Sequence, residues 1–268
     1  MLERERHRLI LKRVEERAIV AVGELVELLG ASEATVRRDI MAMAGRGEIR
    51  RVRGGAEAVH PRHRTVLAGA PFELSMGIRV AQKRAIAQAA AALIEDGDSI
   101  IINGGTTTYR LAEFLEGRDL DILTNSFPIA AKLAHSSHVR LTLPGGTLFR
   151  QHGIVLSPFE HDAIGTFWGS KLFTGCHGLN RLGMMETEPL IVQAERKLLA
   201  RADDLVVMAD SRKLRQRSAM VVAGLDRIAC LVTDDGARED ELEPLRSAGV
   251  RVVVAEVPQS EIETEEVA

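Results

Sequence analysis

Apolar residues in the first fifty-odd positions recur at helical spacing and then switch to alternation. Leu9, Ile10 and Val14 predict a helix over 8–17, and VGELVELL predicts a second over 22–29. A tight turn, Gly30-Ala31-Ser32, leads to a third. Ser32 is placed to cap it by accepting a free backbone N–H, and Glu33 suits its positive end. Val36, Ile40 and Met43 then bury one face and leave Thr35, Arg37 and Arg38 outside. After Gly47 the period drops to two in EIRRVRGGAEAV, which predicts a strand pair turning at Gly54-Gly55.

Beyond residue 77 the pattern changes. VAQKRAIAQAAAAL predicts a helix over 80–93, and short β-branched runs at 98–103, 121–124, 139–143, 205–209, 228–232 and 250–254 predict strands. Helical segments at 109–115, 128–133 and 188–197 lie between them, and LFTGCHG at 172–178 reads as a strand and loop. Apolar strands alternating with helices predict an α/β fold whose mainly parallel sheet is covered on both faces. The chain therefore divides into a three-helix module with a basic wing (1–59), a linker containing Pro61, Gly69 and Pro71 (60–77), an α/β domain (78–256) and an acidic tail (257–268).

Composition narrows the chemistry. The 268 residues are 46% hydrophobic and 27% charged, as expected of a two-part globular chain. The net charge is −3, yet residues 34–55 carry six arginines against Asp39 and Glu48. Positive charge is concentrated on the third helix and the strand pair, where the phosphates of a duplex would lie if the three helices form a helix-turn-helix. The competing reading is a small bundle with a solvated arginine face. Aromatic residues are 3% of the chain, too few for a platform that stacks single-stranded bases. Cys176 and Cys230 are too few for a zinc finger or disulfide framework, and no HExxH spacing occurs, so neither metal nor cofactor is expected. A charged start from Glu3 and the lack of a bilayer-length apolar run lead us to expect no signal peptide, no membrane helix and a cytoplasmic location.

The segments SEATVRRDI and IRRVRGGAEAV resemble the winged helix-turn-helix of the DeoR family of bacterial sugar-metabolism repressors. The resemblance rests on the serine cap, the threonine and paired arginines before aspartate, and the basic wing ending in two glycines. Many members carry histidine where Arg53 stands. Residues after the wing and several later segments look most similar to the ascorbate-utilisation repressor branch. This resemblance implies double-stranded operator DNA as a partner, with Ser32, Thr35, Arg37, Arg38, Arg50, Arg51, Arg53 and Gly54 as its contacts. Arg50, Arg51 and Arg53 are expected to line up near phosphates or a minor groove. The resemblance also implies an α/β sensor domain related to sugar-phosphate isomerases.

In a doubly wound sheet, ligands sit beyond the carboxyl ends of the strands. The best candidate is NGGTTTYRLAEFL, where a strand runs into Gly104-Gly105, then Thr106, Thr107 and Thr108 at a helix start. Backbone N–H groups and hydroxyls there could converge on an anion. The segment has neither a P-loop's Gly-Lys-Ser/Thr nor G-x-G-x-x-G, and a glycine turn with threonine caps explains the spacing equally well. The resemblance implies that Gly105 to Thr108 hold the phosphate of a sugar. Asn125 is a candidate for sugar hydroxyls, Gly146 for a close backbone approach, and Lys213 for an anionic group. Each alone reads as a turn or a solvated charge, but with Asp210 they resemble the family's ligand rim. Gly175 is placed near the ligand by the same resemblance. His177 departs from the pattern and reads as either a ligand contact or a loop cap, and Cys176 as a small buried residue.

Three functions are open at this point. The first is a regulator, a homodimer or homotetramer, that senses a phosphorylated sugar or sugar acid. The second is a phosphosugar isomerase with an added helical module, and the third is a protein–protein module. An isomerase needs a positioned acid/base pair. Glu186, Glu188, Glu195 and Asp210 are available, but the DGADE-like segment of the isomerases that the fold resembles is not intact. This favours sensing over turnover, and no catalytic residue is assigned.

Overall fold

The computed structural model describes residues 3–17, 19–52, 54–58 and 72–258. Its contacts divide the chain into two units, Met1–Val66 and Leu67–Ala268. In the first, α1 (Glu3–Arg17), β1 (Ile19–Ala21), α2 (Val22–Leu29) and α3 (Glu33–Gly45) precede the hairpin β2 (Ile49–Val52) and β3 (Gly55–Ala58). The hairpin joins β1 in an antiparallel sheet of order β1-β3-β2. Ile10, Val14, Leu25, Val36, Ile40, Met43 and Ile49 form its core. Two features differ from the sequence reading. β1 is three residues long, too short to show a period, and α1 begins five residues before 8–17, in a charged stretch with no apolar signal.

Two glycines set the geometry of the wing. Gly54 has φ 83°, a left-handed conformation that favours glycine. A Cβ on Gly55 would lie 2.2 Å from the Val20 carbonyl oxygen, so the pairing of β3 with β1 requires glycine there.

The second unit opens with α4 (Phe72–Met76) and α5 (Val80–Ala91), followed by β4 (Ser99–Ile102), α6 (Thr106–Leu111), β5 (Leu120–Thr124), α7 (Phe127–Leu133) and β6 (Val139–Thr142). The interval 60–77 is thus not all linker. The Phe72 amide donates to the Gln151 carbonyl at 2.9 Å, and its ring meets Tyr109 edge-on at 5.9 Å, so α4 is packed into this unit. A hairpin, β7 (Thr147–Phe149) and β8 (Ile154–Leu156), and α8 (Ala163–Thr166) lead to β9 (Gly169–Thr174). Then come β10 (Gly178–Asn180), β11 (Gly183–Glu186), α9 (Pro189–Leu199), β12 (Ala202–Met208), β13 (Met220–Ala223), β14 (Ile228–Asp234), α10 (Glu239–Ser247) and β15 (Arg251–Ala255).

Seven strands form one sheet of order β15-β14-β12-β9-β4-β5-β6, with every pairing parallel. Alternation distributes its side chains. Ile100, Ile102, Phe173 and Val206 pack beneath α5, α6 and α7, while Ile101, Leu172, Leu205 and Val207 face α9, α10 and the small antiparallel sheet β10-β11-β13. Both faces are covered, which is why the strands read as nearly continuous apolar runs. The chain builds outward from β4 to one edge and from β9 to the other, so the strand order reverses between these two neighbours. That is the switch point where a doubly wound sheet opens a crevice. Among the described residues, no helix is long and apolar enough to cross a membrane.

Candidate DNA-binding face and ligand site

On α3 the exposed residues Ala34, Arg37, Arg38 and Met41 form one stripe, opposite buried Val36, Ile40 and Met43. Ser32 accepts the Thr35 amide at 3.3 Å and its hydroxyl lies 2.9 Å from that of Thr35, so both predicted contacts also build the helix start. Arg37 donates to Glu33 at 2.8 and 2.6 Å. Arg38 is exposed and has no ion pair among the described residues. A groove of about 520 Å³ runs between α3 and the wing, lined by Arg37, Met41, Arg51, Val52, Gly54 and Gly55 among others.

The three wing arginines do not share one line. Arg51 lines the groove, whereas Arg50, its neighbour on an extended strand, faces the other way and pairs across the hairpin with Glu57 at 3.0 Å. Arg53 lies outside the described residues. Met41, 59% exposed in the same groove, was missed by the sequence reading, because a methionine at helical spacing looks like core.

Asp39 belongs to the interior of this unit, not to its charged face. It is 4% exposed and accepts from Arg6 at 2.7 and 3.1 Å, with His7 at 3.1 Å. Burial pushes its carboxyl up, but the hydrogen bonds and charges of Arg6 and His7 outweigh that and hold it below the ordinary range. This carboxylate clamps α1 to α3 and so fixes the helix that carries Arg37 and Arg38.

In the second unit, the ends of three strands, β4, β5 and β9, meet α9 in a buried polar network. Asn103, after β4, donates to Thr174 of β9 at 2.8 Å and to Glu195 of α9 at 2.9 Å. Asn125, after β5, donates to the Asn103 side-chain oxygen at 2.9 Å and accepts the Gly104 amide at 2.9 Å. Burial and the nearby Glu186 hold the Glu195 carboxyl well above its ordinary range, and its Oε2 has no partner among the described residues. Asn103, Thr174 and Glu195 were not singled out as ligand residues by the sequence reading. The available signal was Glu195 itself, a carboxylate on the apolar face of α9 with Ile191, Val192 and Leu198.

Above this network lies a cavity of about 150 Å³ lined by Asn103, Gly104, Gly105 and Thr106 on one side and by Phe72, Ser75, His152, Ile154 and Ile191 on the other. Several sequence expectations change here. The Gly104 amide is occupied by Asn125, and Asn125 itself is 1% exposed, so both shape the loop from below. A Cβ on Gly104 would lie 2.2 Å from Ile154 Cγ2, so glycine is what lets the β7–β8 hairpin close over it. Thr108 is fully buried and donates to the Gly105 carbonyl at 3.0 Å, and Thr107 is 8% exposed, leaving Thr106 as the threonine that lines the cavity. Gly146 admits a backbone other than a ligand's, since a Cβ there would meet the Leu156 carbonyl oxygen at 2.2 Å. Burial lowers the His152 pKa, and its Nε2 has no partner among the described residues.

The remaining predicted residues gather beside the ends of β9, β12 and β14 and do not line the cavity. Gly175 follows β9, where its carbonyl accepts from Thr174. His177 is tied by its backbone to Met185, and burial together with Lys213 lowers its pKa. Asp210 is 2% exposed and holds Arg212 at 2.9 Å through its side chain, so it caps the turn after β12. Lys213 has no carboxylate within ion-pair distance among the described residues. Beside them Asp234, 1% exposed, accepts the Ser211 amide at 2.6 Å and Arg79 at 2.8 Å. Glu188 caps α9 by accepting the Leu190 amide at 3.2 Å. Among the described residues no cluster of three His, Cys, Asp or Glu could hold a metal.

Comparison with known proteins follows the same division. Residues 6–62 match the DeoR-like helix-turn-helix domain, and residues 78–235 match the DeoR C terminal sensor domain. The chain is 33% identical over 256 residues to the HTH-type transcriptional regulator UlaR of Shigella dysenteriae, covering 94% of this chain and 99% of that protein. UlaR of Shigella sonnei is 34% identical with the same coverage. Both relatives are transcriptional regulators. Among solved structures, ribose 5 phosphate isomerase A from Neisseria gonorrhoeae is 20% identical, with a TM-score of 0.34 over 49% of this chain and 52% of that one.

Proposed function

The chain belongs to the DeoR family of DNA-binding transcriptional regulators, and from that premise we propose that it represses a sugar- or sugar-acid-utilisation operon and responds to a phosphorylated sugar effector. The carrying observation is the cavity at the switch point, walled by Asn103, Gly104, Gly105 and Thr106. Its volume of about 150 Å³ suits a group of about six non-hydrogen atoms, such as a phosphate and the carbon that bears it. The amides of Gly105 and of the first residues of α6 supply donors at that wall. The similarity to the ascorbate-utilisation branch supports an acidic sugar, such as ascorbate 6-phosphate.

In this reading Arg37, Arg38, Arg51 and Met41 meet the duplex, with Ser32 and Thr35 holding the helix start. One short helix gives limited specificity, so the working form is a homodimer or homotetramer that reads repeated half-sites. Effector binding alters DNA affinity because it favours one arrangement of the chain over another. The test has two steps. Selection from a randomised duplex library should yield an operator bound with affinity that falls steeply with salt. Titrating pentose phosphates, hexose phosphates and sugar acids into that complex, followed by anisotropy, should release the DNA with one of them and leave the compound chemically unchanged. Effector turnover would refute the sensor reading, and binding without any change in DNA affinity would refute the coupling.

A further inference from the structure

Lys83 is a buried cation with no part in the roles above. It sits in the first turns of α5, is 4% exposed, and its ammonium donates to the Ser75 carbonyl at 2.5 Å. No carboxylate lies within ion-pair distance of it among the described residues. The charged groups facing it are Asp210 at the end of β12, which attracts it, and Arg212, Lys213 and Arg110 of α6, which repel it. Burial and this balance bring its pKa down to about 8. The ammonium is therefore poorly compensated, and a neutral carbonyl is its nearest acceptor.

That carbonyl belongs to α4. Ser75 and Phe72 of α4 line the cavity, and α4 is the first described element after the DNA-binding unit. The Ser75 carbonyl also accepts the Ile78 amide at 3.3 Å, and the contacts of α4 include the Phe72 amide on Gln151 and the Phe72 ring on Tyr109. An anion entering beside Ser75 would offer Lys83 a charge-assisted bond in place of a neutral one.

We propose that Lys83 reads the negative charge of the effector, a phosphate or carboxylate in the cavity beside Ser75, by exchanging the Ser75 carbonyl for that anion and so loosening α4. The inference rests on the cavity being the effector site. It gives the ligand two cationic and amide walls, α6 fixed to the sheet and α5 behind a short helix that can yield. The exchange supplies the differential interaction that a ligand needs to shift a conformational equilibrium.

The full-length protein can be titrated calorimetrically with inorganic phosphate, ribose 5-phosphate, glucose 6-phosphate, ascorbate 6-phosphate and unphosphorylated ascorbate. For whichever binds, Lys83→Met should weaken affinity roughly ten- to hundredfold, and Lys83→Arg should restore most of it. Above about pH 7, where a phosphate monoester is already largely dianionic, wild-type affinity should be flat up to about pH 8 and fall beyond it, since the bound anion holds the proton on Lys83. The arginine variant should stay flat. Ligand should also speed amide exchange over residues 75–78 in the wild type and not in Lys83→Met. Wild-type affinity in Lys83→Met, with affinity lost in Thr106→Ala, overturns the role of Lys83 and leaves the cavity reading intact. Failure of every compound to bind, or binding indifferent to both substitutions, overturns the cavity reading and this inference with it. If Lys83→Met does not fold, the pH profiles decide, and a parallel fall for wild type and Lys83→Arg refutes the proposal.

Discussion

The two units handle charge in opposite ways. In the helix-turn-helix unit, Arg37, Arg38, Arg50 and Arg51 are exposed, and the partners of Arg37 and Arg50, Glu33 and Glu57, are local, one turn away or directly across a hairpin. In the sensor, Asn103, Asn125, Glu195 and Asp234 are buried and have partners tens of residues away, while buried Asp210 and Lys83 hold Arg212 and the Ser75 carbonyl closer along the chain. Exposed pairs of the first kind contribute about 0–1 kcal/mol and exchange readily for phosphates. Buried networks of the second kind are costly to break, so they hold a loop in one shape until a ligand offers something better. In the proposed function, one unit meets a large anion at its surface and the other encloses a small one.

Substitutions can break this contrast, beginning with the most damaging. Asn103→Leu removes three side-chain hydrogen bonds and should destabilise the sensor by about 2–4 kcal/mol. Trp168, the only tryptophan, lies in that unit, so urea unfolding followed by its fluorescence reads the loss directly. Asp39→Asn tests the exception in the first unit, a buried charge, and should cost about 2–3 kcal/mol at neutral pH. Because the folded pKa of Asp39 is depressed, its contribution is complete above the unfolded value near 3.8 and disappears as pH falls through the folded one. Circular-dichroism melts at pH 6 and pH 3 should therefore show a smaller difference between wild type and Asp39→Asn at the lower pH.

Function-directed changes should be smaller in stability and specific to one unit. Arg38→Ala should weaken operator binding roughly tenfold and reduce the salt slope by about one, with Arg37→Ala milder because removing it also relieves its pairing to Glu33. Both should melt within about 0.5 kcal/mol of wild type. Thr106→Ala should lower effector affinity about five- to tenfold while operator affinity holds. Glu57→Ala should change least, raising operator affinity by no more than about threefold through the freed Arg50. A large effect of Glu57→Ala would mean that the surface pairs are not the weak, exchangeable kind.

Much of the first unit was legible because its information is local. Ser32, the apolar period of α3 and Gly54 at the turn each act within a few residues, and the structure places them as the pattern implied, whereas Gly55 belongs to β3 and is required by the distant Val20 carbonyl. The splitting of Arg50 from Arg51 is also local, since strand alternation forbids adjacent side chains from sharing a face. The clamp on Asp39 was not legible, because its partners come from a charged helix start more than thirty residues away. In the sensor, the strands of the parallel sheet and the loop at Gly104 could be read, whereas the short antiparallel strands β7, β8, β10, β11 and β13 carry no run long enough to show a period. That Gly104 makes room for Ile154, and Gly146 for the Leu156 carbonyl, could not, because a glycine does not announce what comes close to it.

Order along the chain was enough to establish two units, a capped basic helix with a wing, and a parallel sheet covered on both faces, since propensity and hydrophobic period act over short distances. Only the tertiary structure decided which threonine faces the cavity, that Asn125 supports the loop from beneath, and that Lys83 stands behind Ser75. Those outcomes depend on which strand ends the topology makes neighbours at the switch point, and desolvation then forces the buried polar groups there to pair with whatever the fold has brought within reach.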